Sequence, residues 1–249
     1  MNLLSLKTVL AASLAPTDYV GFTFFVGAMA MAAATVFFFM ERGNVDGKWK
    51  TSLLVSGLIT FIAAVHYYYM REYWMENQNS PTALRYIDWV LTVPLMCVEF
   101  YLILRAFGAK IGLMWKLIFY SLFMLVTGYL GETVFRDSSA IWGAISTIGY
   151  LGILYEIWLG SAKKLANNSN DEVLQKSFKA LGWFVLVGWA IYPLGYMAIE
   201  TDGLLGGILP ITAMDLIYNI GDAVNKIGFG LVIYSLAVSQ TRKVKAQAA

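Results

Sequence analysis

Seven stretches of this chain are long and apolar enough to cross a bilayer, and nothing else in it constrains the fold as tightly. They fall at about 19–40, 51–72, 82–105, 110–131, 139–160, 178–199 and 210–237, each near the roughly 20 residues that a spanning helix needs. Polar joints such as "ERGNVDGKWK", "ENQNSPT" and "SAKKLANNSNDEVLQK" separate them. Joints this short favour antiparallel neighbours. The chain therefore reads as an all-α integral membrane protein: one seven-transmembrane-helix bundle over 19–238, an N-terminal segment at 1–18 and a tail at 239–249. Composition agrees, since 59% of the residues are hydrophobic and only 14% charged, well outside the soluble range.

The few charges set the orientation. Lysines and arginines gather in the joints after segments 1, 3 and 5 and in the tail, Arg42, Lys48, Arg105, Lys110, Lys163, Lys164, Arg242 and Lys243 among them, whereas the other side holds Lys7, Arg71 and Arg136. Positive loops stay inside, which places the N-terminus outside and the C-terminus in the cytoplasm. A net charge of +2 without a basic run speaks against nucleic acid as a partner. Cys97 is the only cysteine, so neither a disulfide nor a cysteine metal site can form. The opening "MNLLSLKTVLAASLA" has the outline of a secretory signal, with an interfacial segment as the alternative.

Arg85 and Lys226 belong to neither face, because both fall inside apolar segments. An ionisable residue near the bilayer centre costs about 2.5–3.5 kcal/mol on insertion scales, so each needs a partner or a purpose. In "RYIDWVLTVPLMCVEF", helical spacing puts Asp88, Thr92, Met96 and Glu99 on one stripe, with Arg85 one turn before Asp88. The two acids lie roughly 16 Å apart along the axis, one in each half of the membrane. Segment 7 supplies the complement in "MDLIYNIGDAVNKIGFG", where Asp222 and Lys226 are four residues apart with Tyr218 on the same face. The pair is either a structural ion bridge or a desolvated lysine suited to a Schiff base with a carbonyl cofactor.

Trp189, Tyr192 and Tyr196 in "GWAIYPLGY" form an aromatic wall with Pro193 as the expected kink, and Trp89 adjoins Asp88. Such walls are ordinary packing in membrane helices, yet together they describe a slot for a long, flat, apolar ligand. His66, the one histidine, is expected near the level of Asp88, either as packing or as a partner that tunes the acid. Metal binding is not expected from one imidazole. Asp215, near the start of segment 7, reads as a solvated helix-end carboxylate, with proton release to the outside as the alternative.

Taken together, "RYIDWVLTVP…EFYLIL", "GWAIYPLGY" and "LIYNIGDAVNKIGFGL", with "TVFFFMERGNVDGKWKTSLLVSGL" in segments 1 and 2, resemble the microbial rhodopsins, and among them the proteorhodopsins of marine bacteria. The resemblance runs from about Thr35 to Val238. It implies all-trans retinal on Lys226 as a protonated Schiff base, with Asp88 as counterion and proton acceptor, Glu99 as proton donor and Asp222 as second counterion. Thr92 matches the middle of the family's three-residue signature, Arg85 the arginine beneath the counterions and His66 the histidine paired with the acceptor. Trp89, Met124, Gly128, Trp189, Tyr192 and Tyr218 match pocket positions, and Met96 the colour-tuning site, where methionine goes with green absorption. Gly143 falls where some related pumps open a window for a carotenoid antenna.

The implied function is a light-driven outward proton pump of the bacterial inner membrane, an ion transporter and not an enzyme. It would work in the lipid bilayer, assembled as a homo-oligomer of five or six copies. Donor chemistry requires Glu99 to hold its proton in the dark, which burial favours. A sensory rhodopsin is the first alternative, though sensors commonly lack a carboxylic donor. A sodium or chloride pump is the second, and those replace the Asp–Thr–Glu pattern. The joint "ETVFRDSSAIWG" departs from the family pattern.

Overall fold

The computed structural model describes residues 17–199 and 211–248. Expectations for the signal-like opening, for Lys7 and for the joint at 200–210 lie outside the described residues. Seven helices long and apolar enough to cross a membrane run over Tyr19–Asn44, Gly47–Asn77, Thr82–Arg105, Ile111–Val134, Arg136–Asn167, Glu172–Met197 and Thr212–Gln247; they are called spans 1 to 7 below. Neighbours in the chain pack side by side, and span 7 closes the ring against spans 1 and 2.

Polarity is turned inward. Asp88, Thr92, Glu99, Asp215, Asn219, Asp222, Asn225 and Lys226 are buried, whereas Phe22, Trp115, Phe119, Ile148, Leu151 and Val224 are exposed. In water this arrangement would be ruinous; in hydrocarbon the apolar rim meets lipid and the charges meet one another.

Three boundaries differ from the sequence reading. Span 6 starts at Glu172, six residues before the apolar run at 178, because Asp171 caps it by accepting from the N–H groups of Val173 (3.0 Å) and Leu174 (3.1 Å). Its first turns are amphipathic and bury Leu174, Phe178 and Leu181, so hydropathy alone could not mark the start. The joint "SAKKLAN" is itself helical, Ser161–Asn167. There the Glu156 carboxylate accepts from the Ser161 N–H and hydroxyl (3.1 and 2.7 Å) and from Lys116 (2.8 Å), restarting the helix after a bend at Gly160. Span 7 runs straight on into the tail, one helix over Ile211–Ala248.

The break in span 6 lies upstream of Pro193. Phe184–Gly188 is π-helical, with the Trp189 N–H reaching back five residues to the Phe184 carbonyl at 3.0 Å. Pro193 contributes by omission: it has no N–H for the Trp189 carbonyl, which takes the Tyr192 N–H instead at 3.2 Å. That shift strips the Gly188 carbonyl of its ordinary donor, and the Asn225 side-chain amide of span 7 replaces it at 2.9 Å. A Cβ at position 188 would strike the Asn225 Oδ1, so any larger residue there would have to displace the amide that holds this carbonyl.

Candidate functional site

The centre of the bundle is a lysine held by two acids. Lys226 Nζ donates to Asp222 Oδ2 at 2.6 Å and to Asp88 Oδ2 at 2.8 Å, and all three side chains are at most 3% exposed. Helical spacing on span 7 delivers the first contact and the facing stripe of span 3 the second. One ammonium cannot neutralise two carboxylates, and the remaining charge is spread by hydroxyl donors. Tyr192 Oη donates to Asp222 Oδ1 at 2.6 Å, and Tyr67 Oη donates to Asp222 Oδ2 at 3.1 Å.

Toward the N-terminal end of span 3, Arg85 Nη2 donates to Asp215 Oδ1 at 2.7 Å and to Asn219 Oδ1 at 2.8 Å. Ser80 Oγ donates to the same Asp215 oxygen at 2.8 Å, and Asn219 Nδ2 donates to Thr23 Oγ1 of span 1 at 3.0 Å. Phe24 and Tyr218 stand 5.2 and 5.3 Å from the guanidinium carbon. The expectation of a solvated Asp215 is thereby corrected: the side chain is 1% exposed and ion-paired, because the stripe that carries Asp222 and Lys226 carries it inward too. His66 Nδ1 lies 2.8 Å from the Ile62 carbonyl and 3.8 Å from Asp88 Oδ1, near the acid but bonded to its own helix.

Toward the other end the surroundings are apolar. Glu99 is fully buried among Met96, Phe100 and Ile103 and accepts from the Ser56 hydroxyl at 3.0 Å. Thr60, one turn beyond Ser56, accepts from Thr35 Oγ1 at 2.9 Å. Thr92 lies between the two acids, and its hydroxyl bonds the Asp88 backbone carbonyl at 2.9 Å, leaving the carboxylate to Lys226.

A cavity of about 340 Å³ opens beside the lysine cluster, lined by Trp89, Met124, Gly128, Trp189, Tyr192 and Tyr218, all expected, and by Gly143, Ser146, Tyr150, Pro193 and Tyr196. Met96 is buried on span 3 but is not part of its lining. Trp89 and Tyr192, 4.8 Å apart, face both the cavity and the charges, the first as neighbour of Asp88 and the second through Asp222. These residues fit retinal: an apolar cavity is lined by Trp89 and Tyr192, which also adjoin a buried primary amine flanked by carboxylates. Gly143 lies against the Tyr196 ring, where a Cβ would come within 2.9 Å of Cε1.

Sequence reading missed several of these groups. Asn219 lies on the stripe of Asp215, Asp222 and Lys226, so its spacing could have revealed it. Tyr67 sits in "HYYYMR", and only the fold tells it from Tyr68 and Tyr69, which are 50% and 55% exposed. Ser56, Ser80 and Asn225 carry no local mark. Among the described residues no group of three or more metal-binding side chains gathers.

Comparison with known proteins agrees with this geometry. Residues 18–240 match the model of the family described as bacteriorhodopsin-like protein. The green-light absorbing proteorhodopsin of Gamma-proteobacterium EBAC31A08 is 46% identical over 228 residues, covering 90% of this chain and 89% of that one. Among solved structures, the blue light-absorbing proteorhodopsin from Med12 is 43% identical with a TM-score of 0.75, covering 90% and 100% of the two chains. Xanthorhodopsin, described as a light-driven ion pump with dual chromophore, is 30% identical with a TM-score of 0.80, covering 93% and 98%.

Proposed function

The chain belongs to the bacteriorhodopsin-like proteins, and from that premise we propose that it is a light-driven outward proton pump carrying retinal on Lys226. One observation carries the reading: Lys226 Nζ lies 2.8 Å from Asp88, while Glu99, on the same stripe of span 3 and roughly 16 Å farther along it, is fully buried. Retinal bound at Nζ would supply visible absorption and a nitrogen whose proton can leave. Asp88 receives that proton on the N-terminal side. Asp222, held by Tyr67 and Tyr192, keeps a negative charge beside the nitrogen. Glu99 returns a proton from the C-terminal side, with the Ser56 hydroxyl orienting its carboxyl group. Trp89, Trp189, Tyr192, Met124 and Gly128 line the cavity and would hold the chromophore, and His66 would bias the Asp88 carboxylate from span 2.

The cation bias of the joints supports an N-terminus outside and a C-terminus in the cytoplasm of a bacterial inner membrane. Met96 beside the site supports green absorption, and five or six copies are the expected assembly. A second chromophore beside Gly143 would need the Tyr196 ring to turn aside. Sensor and sodium or chloride pump readings are disfavoured because Asp88 and Glu99 are both acids and both buried on one stripe.

The deciding experiment is illumination of unbuffered cells that make the protein with retinal, following external pH. Acidification in the light, abolished by a protonophore, is expected. Alkalinisation that a protonophore enhances would overturn the reading in favour of another ion.

A further inference from the structure

The proposed route uses Asp88, Asp222 and Glu99; of the other buried acids among the described residues, Glu156 ties the bend before Ser161, and Asp215 is left without a task. Asp215 lies seven residues before Asp222 on span 7, roughly 10 Å farther toward the N-terminal end of the site. Among the described residues its only ion pair is with Arg85, at 2.7 Å. Arg85 in turn sits one turn before Asp88 on span 3, so its long side chain lies between two sets of carboxylates, Asp88 with Asp222 on one side and Asp215 on the other. The hydrogen bonds decide which set it serves. Nη2 is shared by Asp215 and Asn219, Asn219 is anchored to Thr23 of span 1, and Ser80 pins the same Asp215 oxygen from the joint before span 3. Phe24 and Tyr218 hold the guanidinium from spans 1 and 7.

We propose that Asp215 is a positioning residue: it tethers the Arg85 guanidinium away from Asp88 and Asp222 and so limits the positive charge felt at Lys226. The inference rests on the reading of Lys226 as the retinal site. Coulomb interaction falls with distance and is strong where water is scarce, so the place of this one cation matters to the chromophore. Without the tether, the nearest remaining acids draw the guanidinium inward. A cation closer to the positively charged nitrogen destabilises the ground state, in which that charge is localised, and narrows the excitation gap.

The test is a double-mutant cycle on purified protein with added retinal, read by absorption in alkaline solution. Asp215→Asn is expected to move the maximum to longer wavelength, Asp215→Glu to restore it, and most of the shift to vanish when Arg85→Gln is already present. Ser80→Ala, which keeps the ion pair, is expected to give a smaller shift of the same sign, and stands in should Asp215→Asn fail to fold. An unchanged maximum, or a shift of equal size in the Arg85→Gln background, overturns the tether. A second readout needs no pigment: nitrogen NMR of labelled arginine in lipid is expected to show the Arg85 Nη signals altered by Asp215→Asn in the retinal-free protein, and unaltered signals overturn the proposal. Should the unmutated protein stay colourless with retinal, the reading of Lys226 fails, and the NMR arm still decides the tether.

Discussion

The half of the bundle around Arg85 and the half around Glu99 solve the problem of a buried charge in opposite ways. In the first, two paired clusters adjoin: Lys226 with Asp88 and Asp222, reached by Tyr67 and Tyr192, and Arg85 with Asp215, reached by Ser80 and Asn219. In the second, Glu99 pairs with no cation among the described residues and takes a serine hydroxyl from span 2. A charge paired in every direction is costly to remove, because each deletion leaves a partner stranded. A carboxyl group in apolar surroundings is held best with its proton on. The paired clusters suit an acid that must begin charged and then take up a proton, and the isolated acid one that must begin neutral and give its proton away.

The sharpest way to break the contrast is Lys226→Ala. It strands two buried carboxylates, so a destabilisation of about 3–5 kcal/mol is expected, along with complete loss of visible absorbance on adding retinal; thermal melts and spectra check both. Asp88→Asn against Glu99→Gln comes next. The first is expected to stop light-driven pH change and shift absorption to longer wavelength, and the second to leave colour nearly unchanged and slow the return to the dark state at neutral pH. Full pumping speed in Glu99→Gln at neutral pH would remove Glu99 from the donor role. Tyr67→Phe takes one donor from Asp222 and should cost about 1–3 kcal/mol in a denaturation assay. Ser56→Ala is expected to have the least effect, about 0.5–1.5 kcal/mol, with flash photolysis showing slowed reprotonation and no change in colour.

Sequence made the bundle legible because membrane helices announce themselves by length and hydropathy, and the acid–lysine stripe because helical spacing converts directly into a shared face. The amphipathic start of span 6 and the helical "SAKKLAN" escaped, since neither is apolar throughout. Asp215 departs from expectation for a different reason: its place near a helix end points to water, yet the same spacing that aligns Asp222 with Lys226 also turns it inward. Contacts between distant segments, such as Tyr67 with Asp222 or Ser56 with Glu99, had no local sign. They arise from how spans 2, 3 and 7 meet, which no single stretch of the chain encodes.

Asn225 immediately precedes Lys226, and its amide holds the carbonyl released by the break in span 6. One peptide link and one side chain therefore join the lysine to the weakest point of a neighbouring helix. Torque applied at Lys226 has a short path to that bulge, alongside the Tyr192–Asp222 hydrogen bond that also ties span 6 to span 7. A displacement of the span 7 backbone at the lysine would therefore be passed through Asn225 to the bend of span 6.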